Sequence, residues 1–557
     1  MNKIDMKKFP YKSIRKYQQQ ILQIIDDTWK DYKYVFISAG TGIGKSGIAK
    51  TIASSVNKSF IITSTKQLQD QYKQEFKDVA SIKGRMNYQC ALNKGLNCED
   101  GICAVNYLQR SECKELNICP YYRARDKAIK SQIFLTSYQF FLRAIECAGY
   151  VTPRNVLIFD ECHLLEQQVV TWAQIDLSLS ELDKEFHILE DCKIREVVYL
   201  QKYKPCKSGY DNNIKWIDFL YDLITIKRYE RFEEVKSILG PYANDPDNLS
   251  DQELQLLYSK HNQYYKLDKL YKKLSVYFSF KDCCNWLVEP LKDGLQIIPL
   301  NISTLFHYYI KKMGFEKIIF MSATILNTTG FRKLLGLPKN ETLSIKVESP
   351  FPAKKSPIIY KPICKMNYEN LENNLQLITN NVQKIIDKHP NQKGIIHSGN
   401  KTVSNYLNNH LKSKRLLTRI NDITNIDIIE KHNKSKKPTI LISSSLYEGV
   451  DLKDDLSRFQ IIVKMPFLSL LDKRIKTKYY IDRDWYIEDV FKKIIQASGR
   501  STRNENDYAI TYVLDKSFKW WINHIKNRGW LPKQFLKRII WNEDEFNINE
   551  YKKDNVN

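Results

Sequence analysis

Several classes of protein are excluded by what this sequence lacks. No segment approaches about 18 consecutive apolar residues, the length of a membrane-spanning helix. The segment from Met1 to Pro10 is charged and has no apolar stretch of the secretory kind, so an intracellular protein with no membrane contact is expected. No low-complexity tract breaks the chain, and no internal repeat is visible beyond two similar α/β halves. Acidic side chains are in deficit, with 63 Asp plus Glu against 87 Lys plus Arg, for a net charge of +24. That excess attracts phosphate and is the footprint of a nucleic-acid binder. A Lys- and Asn-rich coding bias gives part of the same signal. The 43% hydrophobic and 27% charged content is that of a globular chain, and 557 residues suggest two to four domains.

Twelve cysteines are present, but they are not spread as a disulfide framework would be. Cys90, Cys98, Cys103, Cys113 and Cys119 fall within thirty residues, while the rest are scattered. In a reducing compartment this crowding reads as a metal or cluster site. Four thiolates satisfy either a tetrahedral zinc ion or a cubane iron–sulfur cluster, so one of the five is spare.

The chemistry begins at Val35-Phe36-Ile37-Ser38, an apolar β-branched run that suits a buried parallel strand. It leads into Ala39-Gly40-Thr41-Gly42-Ile43-Gly44-Lys45-Ser46, after which Ile48 to Val56 reads as a helix. Strand, glycine loop and helix form a phosphate-binding loop, in which backbone N–H groups cradle phosphate oxygens at the helix N-terminus. Lys45 reaches the β- and γ-phosphates of ATP, and Ser46 ligates Mg²⁺. A second buried strand, Asn155 to Phe159, ends in Asp160-Glu161-Cys162-His163. Asp160 at a strand tip holds Mg²⁺, Glu161 orients or deprotonates the attacking water, and His163 couples the pair to its surroundings.

Two later segments complete the pattern. Lys317 to Met321 reads as a strand followed by Ser322-Ala323-Thr324, small hydroxylated residues able to relay movement from the γ-phosphate. In Gln496-Ala497-Ser498-Gly499-Arg500-Ser501-Thr502-Arg503, helical spacing sets Gln496, Arg500 and Arg503 on one face. Such a face suits arginine fingers reaching across a domain cleft, which are worth about 10³ to 10⁵ in rate. The fold class read from these segments is α/β, with two RecA-like parallel-sheet domains and ATP hydrolysed between them. No cluster of carboxylates stands apart from the phosphate site, which argues against a nuclease.

Further motifs in the same order give a family resemblance: Phe9-Pro10-Tyr11-Lys12-Ser13-Ile14-Arg15-Lys16-Tyr17-Gln18, Thr63-Ser64-Thr65-Lys66-Gln67, Lys83-Gly84-Arg85-Met86-Asn87-Tyr88-Gln89-Cys90, Cys119-Pro120-Tyr121-Tyr122, Ser349-Pro350-Phe351, Glu448-Gly449-Val450-Asp451 and Lys464-Met465-Pro466-Phe467. Together with the phosphate loop and the acidic quartet, the chain resembles the XPD/DinG family of superfamily-2 DNA helicases nearly end to end. Two departures stand out: Gly40 where the family has proline, and Cys162 where it has alanine.

The resemblance implies Arg15 and Gln18 as adenine-side readers, Asp451 at the nucleotide, and Thr65 and Ser398 on the nucleic-acid strand. It implies a [4Fe–4S] cluster on Cys90, Cys103, Cys113 and Cys119, leaving Cys98 spare, with zinc as the alternative metal. It also implies 5′→3′ movement on single-stranded DNA and unwinding of tailed duplexes. A translocase or remodeller without productive unwinding carries the same motifs. The absence of an N-terminal exonuclease extension argues against the helicase–nuclease branch. A monomer is the expectation for assembly.

The expected domains are a first RecA-like unit in three pieces (1–80, 125–172 and 295–328), a cysteine-rich insertion (81–124), a helical arch-like insertion (173–294) and a second RecA-like unit (329–557). Within the arch-like insertion, Leu254, Leu257, His261, Tyr264, Tyr271, Leu274 and Phe278 repeat at near-heptad spacing and predict a long amphipathic helix. Its Tyr-Lys interleaving suits strand contact, but a core aromatic stripe with a solvated lysine face is the preferred reading.

Overall fold

Runs of β-branched and aromatic residues with no polar interruption form strands only if both faces are covered, as in a parallel sheet packed between helices. Tyr34–Ala39, Val156–Asp160 and Lys317–Ser322 are such runs, and every residue in them is buried. The computed structural model describes residues 3–556 except 41, 93, 102–112, 114–116, 147–151, 189–209, 243–248, 312, 419–424, 445, 448–451, 453 and 500–506.

Two seven-stranded sheets dominate, and every pairing in them is parallel. The first runs in the order Thr342–Val347, Tyr34–Ala39, Lys317–Ser322, Val156–Asp160, Ser59–Thr63, Ile133–Ser137, Ala80–Ser81. The second runs Leu416–Leu417, Ile440–Ser443, Gly394–His397, Phe459–Ile462, Ile510–Asp515, Ile358–Cys364, Ile539–Ile540. These are the two RecA-like domains.

Register decides where the chemistry sits. Ser38 pairs with Ser322, and Asp160 pairs with Met321. All strands point the same way, so the phosphate loop, the acidic quartet and the Ser322-Ala323-Thr324 turn emerge side by side from one sheet edge. Ligands of open α/β sheets bind at that carboxyl edge.

Two domain boundaries differ from the sequence expectation. Thr342–Val347 pairs along its length with Tyr34–Ala39, so the first domain extends past residue 328 and the second begins after it. A chain returning to cap the edge beside the phosphate-loop strand leaves no composition signal. Strand Gly294–Pro299, whose residues from 295 onward were expected in the first domain, instead pairs antiparallel with Ile175–Ser178 and Trp286–Leu291 in a separate three-stranded sheet.

That small sheet roots a helical hairpin. Helices Tyr210–Leu239 and Asp251–Phe280 run antiparallel, since Tyr221 meets Tyr271 while Phe232 meets Tyr264. Trp216, Leu220, Ile224, Leu267 and Leu274 pack with Ile175, Leu177, Leu295 and Ile297 in one core. The predicted long helix is therefore present; of its periodic residues Leu257 and Leu274 are buried in the core, Tyr271 and Phe278 pack against it, and Leu254, His261 and Tyr264 are half-buried. Tyr271 stacks on Tyr221 inside the hairpin, whereas Tyr265 is exposed. No described helix is long and apolar enough to cross a membrane.

Candidate nucleotide site and interdomain seam

The phosphate loop turns on two glycines in the left-handed region, Gly42 at φ +77° and Gly44 at φ +80°. Gly44 caps the helix Lys45–Ser54, which starts three residues earlier than its apolar pattern predicts. A Cβ on Gly44 would sit 2.6 Å from Gln18 Nε2. Gln18 is that close because its amide donates to Ile43 O at 2.7 Å and accepts from Arg15 N at 2.9 Å. Arg15 Nη1 donates to Gly42 O at 3.0 Å. Both residues brace the loop's carbonyls and so leave its N–H groups to face a ligand. Gly40 admits a close approach of another kind: a Cβ there would meet Ser349 Cβ at 3.1 Å. Lys45 Nζ lies 3.2 Å from Ala39 O, over the mouth of the loop. Ser46, at the helix start, has Tyr11 Oη 3.3 Å away.

Asp160 ends its strand fully enclosed. Tyr72 Oη donates to Asp160 Oδ2 at 2.8 Å, and Tyr138 Oη donates to Asp160 O at 3.1 Å. Burial, reinforced by the neighbouring Glu161 charge, pushes the Asp160 carboxyl up to about 6. Glu161 sits at φ +52°, a left-handed conformation that non-glycine residues adopt at a cost and that clusters at functional turns. Burial raises its carboxyl too, but hydrogen bonding to His163 and the Lys45 charge outweigh it and hold Glu161 down at about 2. Tyr72 and Tyr138 were not singled out by sequence reading, because a tyrosine on an amphipathic helix carries no positional signal.

From this pair a chain of hydrogen bonds crosses between the domains. His163 Nδ1 lies 2.8 Å from Ser322 Oγ and 3.3 Å from Glu161 Oε2. Ser322 Oγ is in turn 3.3 Å from Thr324 Oγ1. From the second domain, Gln496 Nε2 approaches His163 Nε2 at 2.8 Å and Thr324 Oγ1 at 3.1 Å. Gln496 lies at the end of helix Arg483–Ser498, beside the cleft. The structure therefore brings Lys45, Asp160, Glu161, His163, Ser322, Thr324 and Gln496 to one seam. Arg500, Arg503, Thr41 and Asp451 lie outside the described residues.

The family model of the helicase C-terminal domain matches residues 382–534, and that of the type III restriction enzyme res subunit matches residues 11–190. A probable ATP-dependent helicase of Methanocaldococcus jannaschii is 23% identical, the match covering 95% of this chain and 95% of that protein. The ATP-dependent DNA helicase CHL1 of Vanderwaltozyma polyspora is 20% identical over 76% of this chain and 59% of its own length, so this chain spans about three-fifths of that relative. A solved XPD helicase shares the fold with a TM-score of 0.60 at 16% identity, covering 93% of this chain and 98% of its own. Xpd4 of S. tokodaii does so at 0.58 and 13%, covering 95% and 100%. The chain carries a helicase C-terminal domain and has the fold of the solved XPD helicases. It is an ATP-dependent helicase, and so a hydrolase.

Other residues of this helicase are placed less simply. Thr65 caps helix Lys66–Glu75, its hydroxyl accepting from Leu68 N at 3.1 Å. Ser398, expected on the nucleic-acid strand, is fully buried and donates to Asn400 O at 3.1 Å within its own turn. Within the cysteine lobe, Cys90, Cys98, Cys113 and Cys119 are buried and free of disulfides, while Cys103 lies outside the described residues. Cys98, the thiol expected to be spare, is buried like the other three, and its Sγ lies 3.8 Å from Cys119 Sγ. Burial and the neighbouring Cys119 push the Cys98 thiol up to about 12. Among the described residues, no three or more His, Cys, Asp or Glu are gathered tightly enough to hold a metal.

Between the cysteine lobe and helix Asp251–Phe280 opens a cavity of about 900 Å³. Arg85, Tyr121, Arg143, Tyr265, Lys266 and Lys269 line it, and the Arg143 guanidinium lies 5.6 Å from the Tyr265 ring centre.

Proposed function

We propose that this chain is a DNA helicase that moves 5′→3′ along a single strand and unwinds tailed duplexes, using ATP hydrolysed at the seam. The observation that carries the reading is the path Glu161–His163–Gln496. It links the carboxylate suited to activate water directly to the helix leading to Arg500 and Arg503. A cleft whose chemistry depends on its second wall hydrolyses ATP only when closed, and alternate closing and opening is what advances a strand. Ser46 and Asp160 are the residues that would hold Mg²⁺, Lys45 would neutralise phosphate charge, and Arg500 and Arg503 would act as the fingers.

The cavity beside the cysteine lobe fits a single strand. Cations suit phosphates, and exposed aromatic rings such as Tyr265 offer about 1–3 kcal/mol per stacked base. The buried thiols of that lobe are of the kind that would hold a thiolate-bound centre, iron–sulfur or zinc, and the 3.8 Å between Cys98 Sγ and Cys119 Sγ supports counting both among its ligands. When bound, such a centre would staple a lobe too small for a core of its own.

The test is strand displacement on 5′-tailed and 3′-tailed duplexes, with iron and zinc measured on anaerobically purified protein. The 5′-tailed duplex should open at least ten-fold faster, with no opening by Lys45→Ala. Preference for the 3′ tail would overturn the polarity. Hydrolysis stimulated by DNA without displacement would leave a translocase.

A further inference from the structure

Three residues beyond His163, a second contact crosses the same seam, and it is ionic. Glu166 occupies the first turn of helix Leu165–Ala173, which continues directly from the turn Cys162–Leu164. Its Oε1 accepts from Arg474 Nη2 at 2.7 Å and also from Lys478 Nζ; its Oε2 accepts from Trp485 Nε1 at 2.6 Å. Side-chain exposure is 11% for Glu166 and 9% for each of Arg474 and Lys478, so the cluster is shielded from water and salt. Burial works against the Glu166 charge, yet Lys478 and Arg474 hold the carboxyl down at about 2.

The partners lie on two helices of the second domain. Arg474 and Lys478 belong to Lys473–Ile481, and Trp485 lies in the first turn of Arg483–Ser498, the helix whose last turn carries Gln496. Arg474 also donates through Nε to Pro299 O at 3.2 Å, so the same guanidinium touches the root of the helical hairpin. A buried carboxylate stripped of its cations carries a large desolvation penalty, and one kept with them fixes geometry. Buried charge clusters often add little net stability, so a cluster at this position is better suited to setting register than to adding strength.

We infer that Glu166 is a positioning residue that sets the register of the acidic turn of the first domain against helix Arg483–Ser498 of the second, through Arg474, Lys478 and Trp485. This rests on reading the seam as the hydrolytic site. In the inferred role, Glu166 touches no nucleotide. It keeps Glu161 and His163 at a fixed distance from Gln496 as the cleft closes, so its loss should slow the chemical step and leave ATP capture intact.

The experiment is steady-state ATP hydrolysis by the full chain with single-stranded DNA, comparing Glu166→Gln, Arg474→Ala, their double variant and the milder Trp485→Phe. Glu166→Gln and Arg474→Ala should each lower kcat at least ten-fold with KM for ATP within two-fold of the parent. The double variant should be no worse than the poorer single, because both break one cluster. Trp485→Phe, which removes one donor and keeps the ring, should lose about three-fold. Multiplying losses in the double variant, or a KM that rises while kcat holds, would overturn the inference. If Glu166→Gln fails to fold, the Trp485→Phe split between kcat and KM decides it. Absence of hydrolysis in the unsubstituted protein would instead sink the functional reading beneath it.

Discussion

At the seam, Asp160, Glu161, His163 and Gln496 each have a protein partner within 3.3 Å, and Lys45, Arg474 and Lys478 offset the buried acids. In the cysteine lobe, Cys98 faces another thiol at 3.8 Å and a carbonyl, Gln89 O, at 3.5 Å. The seam supplies its own counter-charges, so its carboxyls are set by one another. The lobe buries acidic groups against each other, and a cation is what deprotonates such thiols. The difference separates two design problems. One site has its carboxyls set by protein residues and is sensitive to domain geometry, whereas the other, on the reading proposed above, would be a donor set completed by a guest. A variant at one should leave the other nearly untouched.

The strongest test of that independence is at the acidic pair. Glu161→Gln should cut kcat about 10³-fold, roughly 4 kcal/mol of barrier, while ATP still binds and metal content is unchanged. Rapid-quench hydrolysis with a filter-binding assay for ATP checks it. Turnover within ten-fold of the parent would remove Glu161 from the base role. Conversely, Cys98→Ser should release at least half of the bound metal and lower Tm by several degrees. DNA-free ATP hydrolysis should stay within two-fold. Metal analysis and a thermal melt read the outcome, and full metal retention would return Cys98 to the spare position.

Acid titration separates the regions further. The folded Glu166 carboxyl lies at about 2, below its unfolded value near 4.3. Its stabilising contribution is therefore fully present above the unfolded value and is lost as pH falls from about 4 towards 2. At neutral pH this amounts to roughly 3 kcal/mol at most. Arg474, Lys478, Lys492 and Trp485 face it. Chemical denaturation of the parent and of Glu166→Gln at pH 7 and pH 3 should show the gap between them narrowing in acid. A gap that widens would mean the carboxyl is not held ionised.

Much of the seam was legible because its chemistry is local. A phosphate loop needs a strand, glycines and a helix within a dozen residues, and Asp160-Glu161 must end a strand, so periodicity and order alone locate both. Tyr72, Tyr138 and Glu166 were missed for the opposite reason: their partners lie 88, 22 and 308 or more positions away. Glu166 does leave one trace, an acid at a buried helix position directly after two leucines. The boundary at 329 failed similarly, since nothing in Thr342–Val347 says which sheet it will join until its edge pairing with Tyr34–Ala39 is seen. The hydroxyl of Ser398 shows why a polar turn residue after a strand is a weak signal, since it can face its own backbone as readily as a ligand.

The smallest expected effect tests how far the seam's self-sufficiency extends into the phosphate loop. Gly44 has φ +80°, and an added Cβ would press on Gln18 Nε2 at 2.6 Å. Gln18 could yield only by loosening its bond to Ile43 O, because its other amide atom is held by Arg15 N. Gly44→Ala thus combines about 1 kcal/mol of left-handed strain with a displaced brace. KM for ATP should rise about five-fold, with kcat at saturation within three-fold, since Glu161, His163 and Gln496 are not moved. Adding Gln18→Ala should relieve the clash but not the strain, so the double variant should do no better than Gln18→Ala alone. Full recovery of KM in the double variant would mean that crowding by Gln18, rather than backbone conformation, is what Gly44 serves.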